Sequence, residues 1–293
     1  MEILLEQSFS RSASQKRSEG FVENGYIDKP TPFLKWVGGK RSIIEELKRR
    51  IPSKFGGYFE SFVGGGALLF EIQPKRAHIS DSNLDLIIAY RVVQKDPGKL
   101  ISILKEHQKN HNKDYYYKIR SQHQTNDPIA TAARLIYLNK TCFNGLWRVN
   151  KKGEFNVPIG SYTNPNICQE DNIWACSKAL QNTVIENKTY LNLNPKKGDF
   201  SYFDPPYHPI TNTSFTAYSR LDFTENDQRQ LANFCTHLHK NGVYVMISNS
   251  NTNFIRNLYK ASHFKIAIIN APRMVNCKGN ERNTVEEVLI TNY

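Results

Sequence analysis

In the first third of the chain, the pattern of hydrophobic and polar residues consists of short apolar runs, glycine-rich turns and amphipathic stretches that follow one another. Residues 57–63 form an aromatic run with strand character, Gly64-Gly65-Gly66 follows as a turn, and residues 67–72 have the apolar content of a helix. His78-Ile79-Ser80-Asp81 then predicts a second strand that ends in an acid. The order strand, turn, helix, strand is typical of an α/β fold with a parallel sheet.

The same alternation returns after residue 183. Strands are predicted at residues 189–191, 200–203, 243–248, 264–269 and 285–290, and helices at residues 227–239 and 254–260. Residues 211–221 are rich in threonine and serine and predict a flexible loop that could cover a ligand bound after the strand at residues 200–203. We therefore expect the two ends of the chain to build one α/β domain.

Between about residues 84 and 183 the strand–helix alternation is interrupted. Residues 100–109 and 129–138 predict helices, with basic residues, tyrosines and asparagines between and after them. We interpret most of this stretch as an inserted, mainly helical module.

Residues 139–158 interleave basic, amide and aromatic side chains, and Asn144-Gly145 and Lys152-Gly153 mark turns. This pattern favours a loop or β-hairpin that enters a DNA groove, where arginine reads guanine, asparagine reads adenine and a planar side chain wedges into the stack. The alternative is a basic surface hairpin with a small aromatic core of its own.

The most informative stretch for chemistry is Asp204-Pro205-Pro206-Tyr207, which follows the predicted strand at residues 200–203. Prolines have no N–H group, and we expect the two proline carbonyls to stay free and to be aimed by fixed φ angles. Asp204 adds a carboxylate acceptor and Tyr207 an aromatic face. Such a site suits a planar base with an exocyclic amine, because acceptors localise the nitrogen lone pair for attack and the ring holds the base by stacking. The alternative is an ordinary proline-rich turn.

The glycine turn at residues 64–66 and Asp81 predict a cofactor that contains adenosine. Glycines let the backbone approach a ligand closely, and an acid at the end of the second strand receives ribose hydroxyls in nucleotide-binding α/β folds. The third glycine of the dinucleotide fingerprint is missing, so the turn need not hold a pyrophosphate. S-adenosylmethionine fits both observations. Lys40, next to Gly38-Gly39, has a position suited to an anion, but the spacing of a P-loop is absent.

The composition indicates which class of partner the chain binds. The chain has 293 residues, with 39 lysines and arginines against 27 acids and a formal net charge of +12, which indicates a polyanionic partner, nucleic acid first. Its five cysteines include no C-x-x-C pair, so we expect reduced thiols of an intracellular protein and no metal site. No run approaches the roughly 18 apolar residues of a membrane span, and we interpret residues 1–30 as a flexible tail without a signal peptide.

Four blocks of the sequence together resemble one family: Phe33-Leu34-Lys35-Trp36-Val37-Gly38-Gly39-Lys40, Phe62-Val63-Gly64-Gly65-Gly66, residues 143–158, and Asp204-Pro205-Pro206-Tyr207. From about residue 31 onward the chain looks like the Dam-type DNA adenine-N6 methyltransferases (D12 class, alpha group). It most resembles the GATC-specific methylases of restriction–modification systems. The resemblance implies a Rossmann-like S-adenosylmethionine-dependent sheet with an inserted, mainly helical DNA-recognition domain. It implies a catalytic domain at residues 31–98 and 184–293, and a target-recognition domain with a DNA-reading hairpin at residues 99–183.

The resemblance also assigns residues to roles. It implies catalysis by Asp204, Pro205, Pro206 and Tyr207, and a cofactor pocket lined by Trp36, Lys40, Phe62, Gly64, Gly66, Asp81 and Asp204. It implies a DNA interface of Lys35, Phe143, Asn144, Leu146, Arg148, Pro158 and Tyr162. Within that interface, the aromatic at Phe143 would wedge beside the flipped base and Arg148 would read a guanine. Ser161 is a departure, because related sequences often carry arginine there, and one phosphate contact of the family is not expected in this chain.

The sequence thus predicts an enzyme that transfers a methyl group from S-adenosylmethionine to N6 of adenine in duplex DNA, in GATC, after flipping the base into the Asp-Pro-Pro-Tyr site. One alternative is N4-cytosine methylation, although aspartate at the first position of the motif favours adenine. Others are methylation of RNA or of a protein amide, which usually goes with Asn-Pro-Pro, and a DNA-binding protein with a vestigial methyltransferase fold. Intact Asp81 and Asp204 argue against the vestigial fold. The resemblance implies a cytoplasmic, nucleoid-associated protein of bacterial or phage origin, with a cognate restriction endonuclease in the same system but no direct contact.

Overall fold

The fold is a mixed sheet flanked by helices, in a computed structural model that describes residues 29–122, 125–210, 223–260, 263–272 and 284–293. The strands are β1 (Tyr58–Ser61), β2 (Ala77–Ser80), β3 (Thr183–Glu186), β4 (Phe200–Phe203), β5 (Tyr244–Ser250), β6 (Lys265–Pro272) and β7 (Thr284–Thr291). The α-helices are α1 (Ile44–Lys48), α2 (Ala67–Ile72), α3 (Leu84–Lys95), α4 (Pro97–Asn110), α5 (Lys113–Ser121), α6 (Pro128–Thr141), α7 (Glu170–Leu180), α8 (Glu225–Lys240) and α9 (Asn253–Lys260). Short 3-10 helices lie at Lys40–Ile43, Phe143–Gly145 and Tyr190–Asn192.

The strands form one sheet in the order β3-β2-β1-β4-β5-β7-β6. Strands β3 to β5 in this order are parallel, and β7 runs antiparallel between β5 and β6. The chain moves outward from β1 through β2 to β3 and then crosses back to β4, on the other side of β1. Because Ser61 pairs with Phe203, the loops that follow β1 and β4 leave the sheet side by side, at the switch point where α/β folds bind ligands. The predicted α/β class is confirmed.

Alternate strand residues build the two apolar layers of the sheet. One layer contains Tyr58, Phe200 and Tyr202, and the other contains Phe203 and Ile247. All four residues of β4 are buried, as expected for a central strand of a parallel sheet that is covered on both faces. The aromatic run before Asp204 is therefore a rigid support for the residues that follow it.

Helices from the stretch between β2 and β3 pack onto the first of these layers. Tyr90 of α3 and Leu135 and Tyr137 of α6 belong to the same apolar cluster as Tyr58. Helix α6 packs against α3 and α4, and Asp127 caps its start by accepting the N–H of Ile129 at 2.8 Å. The helical stretch thus shares a core with the sheet, and its division into a separate recognition domain at residues 99–183 stays a prediction.

Most predicted elements lie within observed ones, but the strand predicted at residues 189–191 is wrong. This segment is part of a 3-10 helix, in which the N–H of Asn192 bonds the Thr189 carbonyl at 3.1 Å. The strand lies earlier, at β3, where the β-branched residues of Thr183–Glu186 pair with β2. Tyr190 instead carries its ring into the apolar cluster around Phe203, so burial rather than strand pairing explains its aromatic character.

Some predictions fall outside the described residues: the tail up to residue 28, the loop at residues 211–221, and Cys277. In the described part of the chain, Cys142, Cys168, Cys176 and Cys235 are free thiols. No helix there is long and apolar enough to cross a membrane.

Candidate active site and nucleic-acid interface

Asp204 and Lys40 form an ion pair at the carboxyl end of β4. Lys40 Nζ lies 2.7 Å from Asp204 Oδ2 and donates a second bond, of 2.6 Å, to the Gly38 carbonyl. The side chains of Lys40 and Asp204 are only 9% and 18% exposed. Gly38 has a φ of +77°, which permits the tight turn that delivers Lys40 to the start of its 3-10 helix. Lys40 is thus the direct counter-ion of the candidate catalytic carboxylate.

Burial and neighbouring charges set the protonation of Asp204. Burial raises the pKa of its carboxyl from 3.8 to about 6; Lys40 pulls the pKa down, and the negative charge of Glu287 pushes it up. The Oδ1 atom is buried without a hydrogen-bond partner among the described residues. A buried, unpaired carboxylate oxygen is a strong acceptor for an N–H donor, because nothing else solvates it. Asp204 is therefore ionised at neutral pH with one acceptor available.

The ring of Tyr207 lies beside the same ion pair. Its centroid is 4.8 Å from Lys40 Nζ, and its hydroxyl donates a 2.8 Å hydrogen bond to Glu287 Oε2. Burial raises the pKa of Tyr207 well above its ordinary value, and the charges of Asp204 and Glu287 add to the effect. The hydroxyl therefore stays protonated and acts as the donor in this bond.

A network of buried amides anchors the chain that follows β4. Gln228 Nε2 donates to the Pro206 carbonyl at 2.8 Å, Asn249 Nδ2 donates to Gln228 Oε1 at 3.1 Å, and the His208 N–H donates to Asn249 Oδ1 at 3.0 Å. The prediction that both proline carbonyls stay free is therefore wrong for Pro206. The prolines lack N–H groups, and this led to the expectation that their carbonyls are unpaired. A carbonyl can still accept a bond from a distant side chain, as the Pro206 carbonyl does from Gln228 of α8. Pro205 lies buried between Asp204 and this anchored carbonyl.

The glycine turn after β1 is closed by Asp81 and Trp36. Asp81 Oδ2 accepts the Gly64 N–H at 3.2 Å, and Oδ1 accepts the Asn83 N–H at 2.9 Å. Gly64 has a φ of +49°, and a Cβ there would lie 2.7 Å from the Trp36 ring. Gly66 has a φ of +66° and is as tightly enclosed, so both positions require glycine. Burial raises the pKa of Asp81, while the N–H groups of Asn83 and Gly64 oppose the shift.

This part of the site fits an adenosine-containing molecule such as S-adenosylmethionine. The Asp81 carboxylate accepts backbone N–H groups and still has lone pairs for a hydroxyl donor, and the half-buried Trp36 ring offers an apolar wall. Phe62 has a φ of +62° and places its ring 5.6 Å from Tyr190 and 5.7 Å from Phe223. The structure thus joins Trp36, Gly64, Gly66 and Asp81 in one group and Lys40, Asp204 and Tyr207 in another, while Phe62 turns toward other aromatic rings.

A single buried asparagine ties the predicted DNA-binding hairpin to this site. Asn139 Oδ1 accepts the Lys35 N–H at 2.8 Å, and Asn139 Nδ2 donates to the carbonyls of Lys35 at 2.7 Å and Gly145 at 3.0 Å. Lys35 immediately precedes Trp36, which packs against the glycine turn, and Lys35 Nζ lies 4.0 Å from the ring centroid of Tyr162. The start of the hairpin and the glycine turn are therefore linked through adjacent residues.

The predicted loop or hairpin is an antiparallel hairpin. Cys142 bridges to Ile159 and Val149 to Phe155, and the rings of Trp147 and Phe155 pack 4.7 Å apart at its centre. The aromatic core expected for a plain surface hairpin is thus present, and Arg148, Lys151 and Lys152 lie exposed outside it. Arg148 is exposed, and its Nε donates to Asn156 Oδ1 at 2.8 Å, which holds the guanidinium along the hairpin.

The other residues predicted to contact DNA lie around this hairpin. Phe143 is 47% exposed, and its N–H donates to the Pro158 carbonyl at 2.9 Å. Asn144 has a φ of +53°, Leu146 is half-buried, and Asn144, Pro158 and Tyr162 are exposed. The Phe143 ring is therefore accessible to a ligand at the base of the hairpin.

Sequence reasoning missed several residues of the site: Asn139, Gln228, Glu287 and Glu60. Glu60 is buried beneath the site, where Tyr58 donates to its Oε2 at 2.9 Å and burial raises its pKa to about 8. Glu287 did carry a signal, because it shares a strand face with the buried Leu289, where an acid is unusual. Gln228 and Asn139 are ordinary polar residues of helices, and nothing local distinguishes them. Among the described residues, no group of His, Cys, Asp and Glu side chains is arranged to hold a metal ion.

Comparison with known proteins identifies the family. Residues 36–275 match the model described as D12 class N6 adenine-specific DNA methyltransferase. The chain is 42% identical over 287 residues to a type II methyltransferase, M.MjaIII, of Methanocaldococcus jannaschii, across 89% of this chain and 99% of the relative. It is 39% identical to the type II methyltransferase M1.LlaDCHI of Lactococcus lactis (89% and 95% covered) and 32% identical to the DNA adenine methylase of Escherichia coli (90% and 95% covered). The glycine turn, the hairpin and Asp204 all lie within the matched region, and the chain belongs to the D12 class of N6 adenine-specific DNA methyltransferases.

Proposed function

We propose that this enzyme methylates the adenine of GATC in duplex DNA, with S-adenosylmethionine as the methyl donor, after flipping the adenine into the site formed by Asp204, Pro205, Pro206 and Tyr207. Methylation of adenine N6 in DNA is the activity of the family; the recognition sequence, the flipping and the residue roles are the proposal. The observation that carries it is the buried Asp204 carboxylate, which is paired with Lys40 on one oxygen and has an unpaired acceptor on the other.

The chemistry of the amine explains why this arrangement is suitable. The lone pair of the adenine amine is delocalised into the ring, which makes the nitrogen a weak nucleophile. An acceptor that draws on an amine hydrogen localises that lone pair and stabilises the positive charge that develops on nitrogen as the N–C bond forms. Asp204 does so only as the carboxylate, and its pKa of about 6 keeps it ionised at neutral pH. Tyr207 supplies an aromatic face at the same point, to hold the base by stacking.

S-adenosylmethionine supplies an electrophilic methyl group when bound. Asp81 would hold its hydroxyls, and Gly64 and Gly66 would let the backbone come close, with Trp36 as the apolar wall. Because the loops after β1 and β4 leave the sheet side by side, a molecule held by this group would lie next to Asp204 and Tyr207. This adjacency supports direct transfer between two bound reactants, with positioning as a main source of rate.

The hairpin is the proposed reader of the sequence. GATC is proposed because residues 143–158 resemble the corresponding block of GATC-specific methylases. The exposed Phe143 at the base of the hairpin supports its role as a wedge beside the flipped base, and the exposed Arg148 supports contact with a guanine edge. Methylation at this site would protect DNA from a restriction endonuclease that cleaves unmodified GATC.

The test is to incubate unmethylated plasmid DNA with the enzyme and S-adenosylmethionine and to map every modified base. We expect N6-methyladenine in every GATC, and resistance of the plasmid to a nuclease that cuts only unmodified GATC. N6-methyladenine in another sequence would overturn the recognition assignment, and N4-methylcytosine would overturn the assignment of the base.

Flipping needs a separate measurement. A duplex with 2-aminopurine at the target position should gain fluorescence when the enzyme binds, because the base analogue leaves the stack. A duplex with 2-aminopurine in place of an adenine outside the GATC site is the control. Equal signals from both duplexes would contradict flipping of one base.

A further inference from the structure

Among the described residues, Glu287 accepts the hydrogen bond that the Tyr207 hydroxyl donates. It comes from β7, which is antiparallel to β5 and lies 80 residues further along the chain. Its Oε2 accepts the tyrosine hydroxyl at 2.8 Å. Glu287 pairs in register with Ser250 and shares a strand face with the buried Leu289, so its backbone is fixed within the sheet. A tyrosine ring on a proline-rich turn is therefore anchored to a rigid strand through its far end.

We propose that Glu287 is a positioning residue, which fixes the plane of the Tyr207 ring at the mouth of the methyl-transfer site through the tyrosine hydroxyl. This inference rests on the proposed function, because the ring matters only if a base stacks on it. Lys40 constrains the same ring from another side, with Nζ 4.8 Å from the centroid. The ring is thus held by a cation near its surface and an anion at its hydroxyl. Because the ring is already ordered, binding of a base does not have to offset the entropic cost of ordering it.

Glu287 also acts on Asp204 through its charge. The groups that influence the pKa of Asp204 are Lys40, which lowers it, and Glu287, which raises it. Tyr202 and Tyr207 face Asp204 as neutral hydroxyls, and Glu60, with a pKa of about 8, faces it as a protonated acid. Loss of the Glu287 charge should therefore lower the pKa of Asp204, and the acidic limb of the rate profile should move to lower pH. Simple disruption of the site has no reason to extend activity to lower pH.

The chain offers a matched control at the adjacent position. Glu286 is exposed and accepts Asn251 Nδ2 at 2.7 Å, on the opposite face of β7 from Glu287. Glu286→Ala therefore removes a carboxylate from the same strand without touching Tyr207. Glu287→Gln keeps the size of the side chain and an acceptor oxygen but removes the charge, while Glu287→Ala removes both.

The experiment measures KM for a GATC duplex, the single-turnover methylation rate against pH, and the 2-aminopurine signal. Glu287→Ala and Tyr207→Phe should each raise KM roughly tenfold, as expected for loss of one hydrogen bond to a charged group. The fluorescence signal should fall by roughly the same factor. The double variant Tyr207→Phe/Glu287→Ala should be no worse than either single variant, because both remove the same bond. Glu287→Gln should keep a near-normal KM and move the acidic limb to lower pH, and Glu286→Ala should match the wild type.

Additive losses in the double variant, or an unmoved acidic limb in Glu287→Gln, would overturn the inference. If Glu287→Ala does not fold, two other variants still test the inference. Tyr207→Phe tests it through KM, and Glu287→Gln tests it through the acidic limb of the pH–rate profile. Failure of the proposed function is distinguishable, because the wild type would then form no N6-methyladenine in GATC or would show no flipping signal. Failure of this inference alone leaves both of those results intact.

Discussion

The site at the end of β4 and the hairpin at residues 139–158 differ in how their side chains are held: those of the site are mostly buried and paired within the protein, whereas those of the hairpin surface are exposed. Lys40, Asp204 and Tyr207 are held by a buried ion pair and by bonds to rigid strands, and the geometry exists without substrate. The hairpin buries its aromatic core, Trp147 and Phe155, and keeps Phe143 and Arg148 on the surface. In the proposed function, the site is preorganised for electrostatic catalysis, whereas the hairpin would present side chains whose contacts are completed by DNA.

We therefore expect substitutions in the two regions to impair different steps. A change in the buried site leaves a charge or an acceptor unpaired and acts on the rate of the chemical step. A change on the exposed hairpin acts on binding and on the choice of sequence, and it depends on salt. Asn139 belongs to both regions, because its amide joins the hairpin to the residue before Trp36.

The largest expected effect is on Asp204. Asp204→Ala should lower the single-turnover rate by about 100-fold or more, because the acceptor for the amine is lost, while DNA binding stays close to that of the wild type. Rates and binding to a GATC duplex are measured side by side. Asp171→Ala, an exposed acid on α7, serves as the control and should leave both unchanged. Near-normal turnover in Asp204→Ala would place the catalytic centre elsewhere.

The link between the regions should show as a loss of stability. Asn139→Ala removes the partners of three backbone groups around a fully buried side chain, and we expect a loss of roughly 3 kcal/mol in the free energy of unfolding. Urea unfolding measures it, with the exposed Asn194→Ala as the control. A change below about 0.5 kcal/mol, the range of ordinary surface substitutions, would show that the amide does not hold the hairpin.

The hairpin itself should separate reading from anchoring. Arg148→Ala should cost about 1–3 kcal/mol at one guanine position and relax discrimination there, because a guanidinium fork recognises the guanine edge. Lys151→Ala should weaken binding to all sequences alike and flatten the salt dependence. Methylation rates on GATC and on singly substituted sites, for both variants, provide the comparison. Equal losses on every site for Arg148→Ala would make Arg148 a phosphate anchor.

The smallest expected effect on activity is at Glu60, beneath the buried site. Burial raises its pKa from 4.5 to about 8, so Glu60 is already neutral at pH 7 and Glu60→Gln should keep activity within about twofold. Folded Glu60 holds a proton that the unfolded chain releases between these two pKa values, so the stability of the wild type falls as pH rises through this window. Glu60→Gln should lose that part of the pH dependence. The free energy of unfolding is measured with urea at several pH values for the wild type and Glu60→Gln. If the two curves of this free energy against pH are parallel, Glu60 is ionised in the folded protein and the prediction is wrong.

The sequence predicted the local parts of this enzyme and missed the long-range ones. The strand before Asp204 and the turn before Ala67 are visible because buried aromatic runs and crowded glycines leave local patterns. The 3-10 helix at Tyr190 was mistaken for a strand, because aromatic and β-branched residues are shared by strands and by buried turns.

The contacts that hold the site join residues far apart in the chain, and no local pattern records them. Lys40 reaches Asp204, Gln228 reaches the Pro206 carbonyl, and Glu287 reaches Tyr207. Lys40 had a signal in the adjacent Gly38-Gly39 turn and Glu287 had one as an acid on an inward strand position, but neither signal named the partner. The roles of the site residues depend on these distant partners, which is why spacing alone could name Asp204 and Tyr207 but could not say how they are held.

The pH dependence of the single-turnover methylation rate tests directly whether the Asp204 carboxylate acts on the adenine amine. We expect a rate that rises with the ionisation of Asp204, with a midpoint near its pKa of about 6, and then levels off. In Lys40→Met the midpoint should move to higher pH, because the cation that favours the carboxylate is gone. A rate that is flat from about pH 5 to about pH 8, or a midpoint that Lys40→Met leaves in place, would contradict the claim that the Asp204 carboxylate acts on the adenine amine.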